Sequence, residues 1–133
     1  MKIKLFSFNG DEFNYKKLCA WWKFWGWDKV PPKEFFPKTG IMVENNGQDI
    51  CSCFLYKTDS SWCIINWFLM NPLAKKENRK GSIDFLIKEA TKLAKNLGFK
   101  AIDVMIDKKS VIGILEKNDF SLKENITRIV KIL

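Results

Sequence analysis

The sequence predicts a single domain, residues 1–133, of the α/β (α+β) class: a mixed, mostly antiparallel sheet of about six to seven strands with helices on both faces. Three observations predict it. Strand-like and helix-like periods follow one another in the order β-α-(turn)-β-β-β-α-β-α-β-β. Short turn sequences at 46–47 and 58–61 join three strand candidates into consecutive hairpins, whose strands are antiparallel. A long amphipathic helix then separates the strand candidates 62–70 and 101–106, and a crossover of that kind makes those two parallel.

Each element has its own warrant. "MKIKLFSF" (1–8) alternates and opens the sheet. "EFNYKKLCAWWKFWG" (12–26) sets Leu18, Trp21, Trp22 and Trp25 at helical spacing. "VPPKEFFPKTG" (30–40) is broken by proline and reads as a loop or a single turn. "IMVEN" (41–45) and "QDICSCFLYK" (48–57) flank Asn46-Gly47, a hairpin turn pair. "WCIINWFLM" (62–70) is nearly all apolar, so it is expected at the centre of the sheet, covered on both faces. The helix over 81–97 lines up Ile83, Leu86, Ile87, Ala90, Leu93, Ala94 and Leu97, and Gly98 stops it. "AIDVMI" (101–106) reads as a strand and "SVIGILEKN" (110–118) as a short helix. "FSLKENITRIVKIL" (120–133) reads as two strands around Glu124-Asn125.

Composition narrows the chemistry. With 133 residues and 47% hydrophobic content, the chain can bury one real core. No apolar run reaches the roughly 18 residues of a membrane span, and Met1-Lys-Ile-Lys starts like a strand rather than a signal peptide. A soluble protein in the cytoplasm is expected. Cys19, Cys51, Cys53 and Cys63 lie in apolar surroundings without a CxxC, so reduced core thiols and no metal site are expected. Cys51 and Cys53, two apart on a strand, share a face. The histidine count is 0, which excludes Ser-His-Asp and Cys-His nucleophilic systems.

Charge points to an anion. Lys and Arg number 23 against 15 Asp and Glu, a net charge of +8. Much of the excess falls in 75–100, and its densest part is "KKENRKGSIDFLI" (75–87). There Lys75, Lys76, Arg79 and Lys80 crowd Gly81 at the mouth of the predicted helix. A helix N-terminus with cations and a glycine suits an anionic ligand. A nucleic acid also fits such a segment, and a solvated basic face is the plain alternative.

The element order resembles the GNAT N-acetyltransferase fold over essentially the whole chain. "WFLMNP" is similar to the family's fourth strand, which runs into a proline. "NRKGSIDFLIKEATKLAKNLGFKAIDVMI" looks like its pyrophosphate loop, the following helix and the next strand, and "ILEKNDF" like its late helix. The pattern "WW…PP…P.TGIMV..NGQ…FLYKTDSSW…NP" resembles a subgroup associated with bacteriophage genomes, which would place the protein in a host cytoplasm.

The resemblance implies acetyl-coenzyme A as co-substrate and an unidentified amine acceptor, in a monomer or homodimer. It implies cofactor contacts from Asn78, Arg79, Lys80, Gly81 and Ser82, and backbone contacts to the thioester from Leu69 and Met70. The family motif has Arg or Gln at the position of Asn78 and Gly or Ala at that of Ile83. Asn66 stands where family members often carry a glutamate base, Leu115 where they carry a tyrosine acid, and Asp119 where a glycine precedes the final Phe120. Without that base and acid, the amine proton would go to Asp59, Ser60 or Glu44, with Tyr56 a further candidate acid, and direct transfer in a ternary complex would rest on positioning. Trp22 and Trp25, within "CAWWKFWGW", would line the acceptor groove; core packing and a partner-protein contact are the other uses of such a cluster. The rival reading is a fold relative without catalysis, acting on nucleic acid or a host protein.

Overall fold

Alternating apolar residues and tight turns build five strands into one sheet, ordered β1-β2-β3-β4-β5. The strands are β1 Lys2–Phe6, β2 Gly40–Asn45, β3 Gln48–Tyr56, β4 Trp62–Met70 and β5 Ala101–Asp103. The computed structural model describes residues 1–27, 29–123 and 126–133. Helix α1 (Glu12–Phe24) follows β1, and a single 3-10 turn covers Lys33–Phe35. A one-turn helix α2 (Lys76–Arg79) precedes α3 (Ser82–Asn96), and α4 (Lys109–Lys117) follows β5. The β1–β2, β2–β3 and β3–β4 pairs are antiparallel, and β4–β5 is parallel, as the crossover through α3 requires. Asn46 and Gly47 both take positive φ (51° and 74°), the geometry of a hairpin turn whose twist matches its strands.

The two faces of the sheet are chemically different. Against α3 lie Ile41, Val43, Cys53, Leu55, Cys63 and Ile65, with Leu86, Ala90 and Ala94 from the helix. The two alanines let the helix axis approach the sheet closely. On the other face, α1 packs an aromatic layer: Phe8, Trp21, Trp22, Phe36 and Phe54, with Leu18 and Met42. Helix α4 closes a third, smaller cluster against α3 through Val111, Leu115 and Ile87. Asp11 caps α1 by accepting from the Asn14 N–H (3.0 Å), a bond that lowers its carboxyl below the ordinary value.

Three expectations need correction. The sheet has five strands rather than six to seven. The described residues of 120–133, which exclude Glu124 and Asn125, form no strand. Their alternation needs a partner edge, and β5 pairs over only three residues, too few to template another strand. Finally, β4 is not the covered central strand. Ile41–Val43 and Ile50–Leu55 are the fully buried runs, whereas Ile64, Asn66, Trp67, Phe68 and Met70 of β4 are only half-buried. The reason is the short β5, which covers one end of β4 and leaves the other open.

Candidate active site

That opening is the most distinctive feature of the molecule. Strands β4 and β5 pair only where Trp62–Ile64 meets Ala101–Asp103. Beyond Ile64, β4 runs on to Met70 while the chain after Asp103 diverges, so a cleft widens between them. At its apex the Asn66 side-chain oxygen accepts the Met105 N–H (3.2 Å), a side-chain bond in place of the lost ladder.

A bulge shapes the β4 wall. Ser52 faces Leu69 but Phe54 faces Asn66, so β4 fits one extra residue opposite Cys53. Trp67 carries the irregularity with φ of 62°, a left-handed conformation rare for a bulky side chain. Before the slip Cys63 and Ile65 face α3; after it Phe68 and Met70 do, while Trp67 and Leu69 turn to the aromatic side. Met70, opposite Cys51, sits at a non-hydrogen-bonded position, because the adjacent bond runs from the Asn71 N–H to the Ile50 carbonyl (2.8 Å). Its own N–H and C=O therefore point away from β3, into the cleft, and those of Leu69 point to β3.

The basic turn sits against the β2–β3 hairpin, at the end of the sheet where β4 finishes. Gly81 takes φ of 73°, and a Cβ there would meet nothing within 4 Å, so the backbone is bare to solvent just before the free amides of α3. An open hollow of about 650 Å³ lies against Lys76, Glu77, Arg79 and Lys80. Among the described residues none of Lys75, Lys76, Arg79 and Lys80 is in an ion pair. Further along α3, Lys88 pairs with Asp84 and Lys92 with Glu89.

A network of amides holds the turn in place. Asn78 is buried, donating to Gln48 Oε1 (3.2 Å) and accepting from Asn46 Nδ2 (3.0 Å) on its side-chain oxygen and from Asn45 Nδ2 (3.3 Å) on its carbonyl. Gln48 also accepts the Lys75 N–H (3.3 Å). The β2–β3 hairpin thus braces the basic segment from below. The sequence reading missed this brace; its only signal was the run Asn45-Asn46-Gly47-Gln48, which turn propensity explains equally well.

The predicted site residues divide into three groups. Arg79 and Lys80 line the open hollow next to exposed Gly81, the Met70 N–H and C=O face away from β3, and Asn78 and Ser82 are buried. The Ser82 hydroxyl has no partner among the described residues and lies beside Cys51. Trp25 stands at the cleft, with its indole N–H donating to the Met70 carbonyl (2.8 Å), while Trp22 is 2% exposed and stacks on Phe36 in the core. Asp59 and Ser60 belong to the β3–β4 turn, where Ser60 bonds Thr58 and the Trp62 N–H. That turn lies about 26 Å from Met70 along β4, at about 3.3 Å per residue.

Glu44 pairs with Lys2 and Lys4 on the far side of the sheet. Leu115 is buried between α3 and α4. The Tyr56 hydroxyl accepts the Trp67 indole N–H (2.8 Å); burial raises its phenol, against the opposing pull of Trp67 and Arg128. Burial also raises the thiols of Cys19, Cys53 and Cys63 and pushes Cys51 up to about 12, so none is a ready thiolate. No group of three or more Cys, Asp or Glu side chains suited to a metal ion occurs among the described residues. None of the described helices is long and apolar enough to cross a membrane.

No family model matches the sequence, and no curated protein matches it. Solved structures do match in shape. An aminoglycoside acetyltransferase from an uncultured soil metagenomic sample, solved with sisomicin, has a TM-score of 0.71 at 14% identity, over 99% of this chain and 95% of that one. A GNAT-family acetyltransferase from Streptococcus pneumoniae gives 0.69 at 11% identity, over 98% of each chain. A transcriptional regulator from Bacillus halodurans gives 0.64 at 12%, over 98% of this chain and 99% of that one. The mixed five-stranded sheet, with its cleft and basic turn, is therefore a GNAT-like fold.

Proposed function

We propose that the protein is an N-acetyltransferase that moves an acetyl group from acetyl-coenzyme A to an amine by direct transfer in a ternary complex. One observation carries the reading: in the chain that follows β4, cations with no ion pair among the described residues, a bare left-handed glycine and the first amides of α3 converge on one turn. That convergence suits a pyrophosphate. Lys76, Arg79 and Lys80 would balance its charge, and Gly81 would let the backbone approach. Asn78 would act beneath the site as a brace, and the Met70 N–H and C=O would bond an extended arm entering the cleft. Bound there, the coenzyme supplies the acetyl group as a thioester.

Neither position at which the resemblance expects a proton-transfer group carries one. Asn66 cannot take a proton and is engaged with Met105, and Leu115 is in the core. Catalysis would then come from holding the amine and thioester in line, with the amine proton passing to solvent. Raised thiols argue for direct transfer over a covalent enzyme intermediate. With a net charge of +8 the surface repels polycations, which favours a neutral or singly charged amine over an aminoglycoside such as the one bound to the metagenomic neighbour. The motif resemblance at 21–72 extends the reading to a phage-type enzyme of the host cytoplasm.

Calorimetry with coenzyme A and acetyl-coenzyme A tests this first, followed by thiol release across a panel of amines. Saturable binding is expected; absence of heat at millimolar coenzyme A ends the enzyme reading. The engaged Asn66 and buried Leu115 favour a second reading, a GNAT-fold binding protein without catalysis. Tight nucleic-acid binding at physiological salt, falling steeply as salt rises, would establish it.

A further inference from the structure

Trp25 occupies the cleft rather than its rim. It follows the last residue of α1 and precedes Gly26, whose φ is 88°, so the helix ends there, and the ring packs edge-on against Phe24 of α1 (centroids 5.1 Å). Its indole N–H reaches the Met70 carbonyl at 2.8 Å. The strand register turns that carbonyl away from β3, so the indole reaches it from the open side of β4. On the other side, the Lys108 ammonium lies 5.4 Å from the centre of the Trp25 ring. Lys108 belongs to the chain that diverges after β5. The indole therefore spans the gap, bonded to one wall and capped by a cation from the other, while remaining 44% exposed.

We propose that Trp25 gates the β4–β5 cleft: its N–H holds the Met70 carbonyl until an extended amide-bearing ligand arm takes that acceptor over. The inference rests on the coenzyme A reading, since the pantetheine arm carries amide N–H groups of the required kind. Entry then consists of one exchange of donors at one carbonyl. The indole leaves Met70, the arm's N–H replaces it, and the ring swings about its side-chain torsions with the backbone of α1 unmoved. Lys108 biases the gate towards its closed position through the ring face. A gate of this kind lowers apparent affinity by the fraction of time it stands open.

The test uses the full chain and two probes, coenzyme A and adenosine 3′,5′-bisphosphate. The second has no pantetheine arm and does not need the cleft. Trp25→Phe keeps a ring and removes the donor. Coenzyme A should bind it about three- to tenfold tighter, through faster association at nearly unchanged dissociation, with the bisphosphate unaffected. Lys108→Ala should shift coenzyme A in the same direction by a smaller factor. In the wild type, adding coenzyme A should move the Trp25 indole N–H resonance, identified by its loss in Trp25→Phe. Equal or weaker coenzyme A binding by Trp25→Phe overturns the gate and makes Trp25 a passive wall. If the wild type binds the bisphosphate but not coenzyme A, the gate also fails, whereas binding of neither probe removes the coenzyme A reading on which it stands.

Discussion

Gly81 is the residue on which the proposed chemistry turns. Its left-handed backbone and the empty space above it allow a side chain at modest cost, about 1 kcal/mol, and aspartate tolerates that conformation better than most. Gly81→Asp should therefore fold, yet place a carboxylate where phosphate is expected. Titration calorimetry should show coenzyme A affinity reduced roughly tenfold or more. Asp49 makes a prediction of a different kind. Burial alone would raise its carboxyl, but hydrogen bonds from Lys17 (2.5 Å) and Lys4 (2.7 Å) hold it below the ordinary value. Lys4 is raised in turn, chiefly by its bond to Asp49. The stability from Asp49 is complete above its unfolded value of about 3.9 and is lost as pH falls through the lower folded value. That from Lys4 is present below about 10.4 and is lost as pH rises through its raised value. Asp49→Asn should cost about 1–3 kcal/mol at neutral pH in urea melts, and the loss should shrink in acid.

At the scale of elements, Gly40 and Asn78 set the testable joints. A Cβ on Gly40 would stand 2.6–2.8 Å from three atoms of the Phe6 ring, which lies directly over it on the neighbouring strand. Gly40→Ala must push that ring into the Phe8–Phe54 layer, with an expected loss of about 1–3 kcal/mol in thermal or urea unfolding. Asn78→Ala removes bonds to Gln48 and Asn46 and should cost a similar amount. Faster amide exchange confined to 75–81 would show that the brace orders the basic turn.

Element types were largely legible from the sequence because period and turn chemistry are local: the Asn46-Gly47 hairpin, the 62–70 strand and the one-faced α3 all stand where they are expected. Depth was not legible. Leu18, Trp21, Trp22 and Trp25 share a helical stripe, yet the first three are buried and Trp25 surfaces, because α1 ends as it leaves the sheet. Half-open β4 looked like a covered strand because its apolar residues serve a cleft as well as a core. The tail 120–133 alternates like a strand, but pairing also requires a partner edge, which no periodicity encodes.

For the whole molecule, the distribution of function follows from the sheet's two ends. Asp59 lies at the narrow end and the basic turn at the wide one. Asp59→Asn should leave turnover within about twofold of wild type, measured on any acceptor the panel identifies. The rate should follow the ionisation of the acceptor amine without a second inflection, since Asn66 at the apex of the cleft cannot titrate. A bell-shaped profile, or a large loss in Asp59→Asn, would mean that proton transfer runs through the enzyme after all.

The slip at Trp67 has a consequence for anyone who edits this strand. Inside and outside are encoded in β4 as a two-letter alternation, and the extra residue changes the reading frame partway through. Residues 62–65 and 68–70 are thus two words written in opposite phase, each grammatical only on its own side of the punctuation. Deleting a single residue between them would merge the frames into one regular alternation: both halves would keep their present faces, and the strand would lose the break that Trp67 supplies beside the cleft.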